Sequence, residues 1–177
     1  MSNSISLKRL AGLALVGIVC VVTVLKGVLI APPLTREIRA DLSCVDGSVS
    51  SVFALIREEM ETDILRRAGV EHAFRSAHAN AVTAASHLDR MEGCLARLAE
   101  SDGFAPDDGV LRSAELFAGA SVVAFTLRGE ALVTASTVGV ESEGYAKKLA
   151  EMETAWTFIE NTGTTVLTWV GESVSGR

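Results

Sequence analysis

Proline, cysteine and histidine are each scarce, at 3 apiece in 177 residues. So little proline, beside 49% hydrophobic and 21% charged residues, excludes a disordered, collagen-like or low-complexity chain. Basic residues are outnumbered, 16 against 22 acidic, and a net charge of -6 repels phosphate backbones, so no nucleic-acid partner is expected. Reactive motifs are missing as well. No serine stands in a Gly-x-Ser-x-Gly elbow, and Gly119, Gly129 and Gly139 lie too far apart to cradle a phosphate. No Glu-x-x-His marks a di-iron bundle and no Cys-x-x-Cys-His marks an attached haem. His72, His78 and His87 fall at different angles or heights on one helical piece and cannot hold a metal by themselves. The run Glu58 to Asp63 lacks the glycine turn of a calcium loop and reads as a solvated helix, with Asp63 at neighbour spacing from Arg66 and Arg67. These gaps predict no enzyme, no metal and no cofactor.

The chain has a mean hydropathy of +0.34, high for a soluble protein. Part of this sits near the amino terminus. After Lys8-Arg9, Leu10 to Ala31 is broken only by Lys26. That stretch of about 22 residues makes roughly 33 Å of helix, enough to cross a bilayer core of about 30 Å. Lys26 lies near one end and can reach the headgroups. A cleaved secretory signal is the competing reading. It fits less well, because Leu29 occupies the place where cleavage wants a small residue, and Pro32-Pro33 follows Ala31. The expectation is a short cytoplasmic tail at 1–9, a transmembrane anchor at 10–31 and an extracytoplasmic domain at 34–177. Positive charges are nearly balanced across the anchor, so keeping the short tail inside rests on the cost of moving its charges across the membrane.

Beyond the prolines, the breakers Gly69, Ser101 to Gly109 and Gly139 to Gly144 leave four pieces, about 34–68, 70–100, 110–138 and 145–174. Three of them carry apolar residues stepping by three and four, the spacing of a bundle seam. The second runs Val70, Phe74, Ala77, Ala81, Ala84, Leu88, Met91, Leu95 and Leu98; the first runs from Ile38 to Met60; the fourth runs from Tyr145 through Trp156 to Val170. The third piece is rich in β-branched residues, and Arg128-Gly129-Glu130 could turn a hairpin. A helix is favoured there, since it closes the bundle where an isolated hairpin would be marginal, and Arg128 and Glu130 cut short any second membrane span. The predicted fold is therefore all-α: a transmembrane helix followed by an antiparallel up-down four-helix bundle.

If the first two pieces form a hairpin at Gly69, residues at equal height have numbers adding to about 140. Cys44 and Cys94 give 138, an offset of roughly 3 Å. A disulfide is therefore expected, and it would place the domain in an oxidising compartment, in agreement with a cytoplasmic amino terminus. On the fourth piece Trp156 lies on the seam, while Phe158 and Trp169 fall to its side and form a candidate partner surface.

Three functional readings follow. The first is a single-span protein at the plasma or inner membrane whose domain acts by protein contact, as an accessory or scaffolding component with a protein partner or as a homo-oligomer. The second is a ligand-binding sensor module: one span leading into four helices resembles the extracytoplasmic bundle of chemoreceptors and sensor kinases. That resemblance covers the order of elements only, and the chain departs from it by stopping at Arg177 without a second span. The third is an envelope-spanning phage lysis component, whose rod would be more polar than these segments.

Overall fold

In the computed structural model residues 34–60 and 69–176 are described. The tail, the anchor and the Asp63, Arg66 and Arg67 charges expected above lie outside the described residues. The chain divides into two units between Pro33 and Leu34. Within the second, four helices account for the regular structure: α1 (Arg36–Met60), α2 (Val70–Ala99), α3 (Asp108–Val138) and α4 (Glu143–Ser175). No strand occurs among the described residues.

The helix ends follow local chemistry. Thr35 accepts a hydrogen bond from the Ile38 amide, Asp107 from Val110 and Ser142 from Tyr145, each satisfying an amide at a helix start that has no intrahelical carbonyl. Gly139 ends α3 at φ 90, a backbone conformation costly for a side chain.

The third piece is a continuous helix, and the hairpin alternative falls away. Its hydroxyl residues bond back along the helix, Ser121 to the Phe117 carbonyl at 2.7 Å and Thr126 to Val122 at 2.9 Å. Its inward face runs Val110, Ala114, Phe117, Ser121, Ala124, Arg128, Ala131 and Ala135, again by threes and fours. Arg128 therefore does not interrupt the helix; it points into the bundle.

Neighbouring helices run antiparallel. Asp41 meets Arg97 at 2.7 Å, Glu130 meets Lys148 at 2.6 Å, and Phe53 lies edge-on to Trp156 at 5.6 Å. α1 and α3 each pack between α2 and α4, an up-down arrangement in which α1 and α3 face each other across the diagonal. Cys44 and Cys94 are bonded, with an S–S distance of 2.08 Å and Cα atoms 6.4 Å apart.

Two apolar cores fill the bundle. The larger gathers Leu42, Val49, Ile56, Met91, Leu98, Phe117, Ile159 and Val166; the smaller is mostly alanine, Ala73, Ala77, Ala131 and Ala135 with Leu132 and Tyr145. Between them, on every helix that contributes to it, lies a polar layer of Glu59, Asn80 and Arg128. The close approach of α4 to the larger core depends on Gly163, where an added Cβ would strike Phe53 and come within 2.9 Å of Phe117.

Candidate functional site

Among the described residues no group of three or more His, Cys, Asp or Glu side chains could hold a metal ion. His72 and His78 are exposed and His87 is half-buried, all on α2.

Among the described residues the buried charges lie in the polar layer. Arg128 is 0% exposed and Glu59 2%, joined at 3.0 Å between Nε and Oε2. Asn80 donates to the other Glu59 oxygen at 2.8 Å. The expected solvated run from Glu58 is thus corrected at Glu59, which turns inward to a cationic partner 69 residues away on the diagonal helix. Nη1 and Nη2 of Arg128 find no hydrogen-bond partner among the described residues. A buried charge half-satisfied in this way is costly, so the pair specifies helix placement more than it adds stability.

On the surface, α3 stands apart. Among the described residues, eight large hydrophobic side chains are exposed, and α3 carries Leu116, Val122, Val123, Val133 and Val138. Val122 is 58% exposed and Val123 51%. Between Glu115 and Glu130 every exposed position of this helix is uncharged: Leu116, Gly119, Val122, Val123 and Thr126. Glu130 itself is paired with Lys148, whose pKa is raised by hydrogen bonds to Glu130 first and Glu151 second. α3 is also long and apolar enough, by length and composition, to cross a membrane, with 33% of its most apolar stretch buried inside the bundle. Its inward face, however, carries the Arg128 ion pair.

Beside this crest, α2 and α3 leave a hollow of 310 Å³ floored by Ala81, Ala84 and Ala85 and walled by Leu88, Val122 and Phe125. Gly119 is exposed and Gly129 half-buried on the same helix, and a Cβ added to either would meet nothing within 4 Å. A mid-helix glycine costs about 0.5–1 kcal/mol relative to alanine, and contacts within the chain do not repay it here.

A second groove of 310 Å³ separates α1 from α4. Phe53 and Trp156 form its apolar part, Arg57 lies 5.8 Å over the Trp156 ring, and Glu160, Ser50 and Thr164 supply polar edges. Of the two aromatic residues expected at a partner surface, Phe158 is 46% exposed, whereas Trp169 is 7% exposed and packs into the larger core. The reason is rotational: Trp169 sits one turn from Val166 and beside Val170, on the inward side of α4.

Sequence reasoning missed the α3 crest. The available signal was a helix apolar nearly all round inside a bundle that faces water on one side, which implies something covering the outside. The family models, the curated proteins and the solved structures return no match to this chain, so its reading rests on this surface.

Proposed function

We propose that this is a single-span membrane protein whose extracytoplasmic helical domain acts by protein contact, as an accessory or scaffolding component of a membrane or envelope assembly. The observation that carries the reading is the outer face of α3, an uncharged crest from Leu116 to Thr126 with two valines more than half exposed. Such a patch on a protein surface marks an interaction site. The Cys44–Cys94 bridge supports an oxidising compartment, and the apolar stretch from Leu10 to Ala31 supports the anchor with its amino terminus in the cytoplasm.

A photo-crosslinking residue at Val123 of the full chain, in its native membrane, tests this. A discrete protein adduct at Val123 that is absent from the same probe at His72 is expected. An equal, diffuse pattern at both sites overturns the reading.

The groove between α1 and α4 favours a second reading, a ligand-binding sensor module, because an aromatic floor with a cation and a carboxylate at its edges suits a small zwitterion. A rise in melting temperature with an amino acid or betaine, abolished by Trp156→Ala, would support it.

A further inference from the structure

We propose that the partner of α3 is a second copy of this chain, paired through α3 about a two-fold axis. The inference rests on the reading of α3 as a protein-contact surface and names its occupant.

Shape supplies the first argument. A two-fold interface uses one patch on both copies, so a ridge and a hollow must lie side by side. Here the crest of Leu116, Gly119 and Val123 runs beside the alanine-floored hollow, and Val122 and Thr126 form the edge between them. An axis passing near Val122 seats each crest in the other copy's hollow.

Charge supplies the second. Two copies each carrying -6 repel wherever acidic surface meets acidic surface. They meet without that cost on a strip whose exposed positions from Leu116 to Thr126 are uncharged and whose next acid, Glu130, is paired with Lys148. A strongly charged partner, by contrast, finds no complementary group on the strip.

The third is Gly119 and Gly129. Their own chain leaves both open, whereas a helix from another copy gains close backbone approach at such positions.

The size is adequate. Leu116 to Val133 spans about 27 Å, and two adjacent helices give a width of about 20 Å. Two copies covering this face, the Glu130–Lys148 pair included, would bury on the order of 1,000 Å², the low end for a specific interface.

The test uses the full chain in mild detergent. A dimer is expected by sedimentation. With Cys20, the one cysteine outside the Cys44–Cys94 bridge, changed to Ser, Val122→Cys is expected to join two chains through a short bismaleimide while Phe158→Cys does not. Gly119→Leu is expected to weaken the dimer at least tenfold with helix content and the Cys44–Cys94 bridge unchanged, since a Cβ at this exposed position meets nothing within 4 Å in its own chain. A dimer indifferent to Gly119→Leu, or one joined through Phe158→Cys, overturns the proposal. A monomer whose Val123 probe captures a different protein overturns self-pairing and leaves the contact reading standing. A monomer whose Val123 probe captures nothing overturns both.

Discussion

Single atoms decide how closely α4 lies against its neighbours. Gly163→Ala places a methyl group against Phe53 and Phe117, and overpacking of this kind costs about 1–3 kcal/mol, more than the helix propensity gained. Gly171→Ala adds the same methyl to open space. Thermal melts of the two variants are expected to move in opposite directions, Gly163→Ala down and Gly171→Ala level or up. Lys148 gives a pH-dependent counterpart. Its hydrogen bonds to Glu130 and Glu151 raise its pKa on folding, so the stability it adds is full below the unfolded value of about 10.4 and disappears as pH rises through the folded value. The Tm deficit of Lys148→Met is therefore expected at about pH 7 and should close at high pH; a deficit independent of pH would contradict the ion-pair account.

At the level of helices, the diagonal pair Arg128–Glu59 locks α3 to α1. Removing one partner leaves a buried charge without compensation, a loss of about 3–5 kcal/mol, while Arg128→Met combined with Glu59→Leu costs less than either alone. Urea unfolding of the two single variants and the double variant reads this directly. The pair also shows where periodicity stops being informative. The spacing of Ile38 to Met60 and of Val70 to Leu98 reproduces the α1 and α2 seams, because their inward positions are apolar and their outward ones polar. α3 breaks that contrast at both faces: a charge, Arg128, stands inside, and Val122 and Val123 stand outside. Only the three-dimensional arrangement brings Glu59 to Arg128, so a lone arginine in an apolar run looked like an interruption. Trp169 differs for a smaller reason: one turn from Val166 and beside Val170, it shares their buried side of α4.

Across the whole domain, the Cys44–Cys94 bridge closes a sequence separation of 50 residues. This feature was readable in advance, since a hairpin turning at Gly69 sets the height of both cysteines whatever their chemistry. Reduction, or Cys44→Ser with Cys94→Ser, is expected to lower stability by roughly 4 kcal/mol in the chain-entropy account. Nonreducing electrophoresis of the chain taken from its native membrane, with thiols blocked at lysis, tests the compartment: a bridged species agrees with the oxidising side, and free thiols contradict it. What covers α3 was not readable, because a seam pattern describes only the burial that a chain provides for itself.

The polar layer has a mechanical corollary. It parts the bundle into a stapled end, rich in leucine, methionine and phenylalanine, and a smaller end where four alanines are buried beside Leu132 and Tyr145. Each alanine withdraws little area from water, so cohesion is lopsided along the long axis. Backbone amides of residues 131–149 should take up deuterium well before those of 88–98, and warming should fray the molecule from one tip rather than melt it evenly.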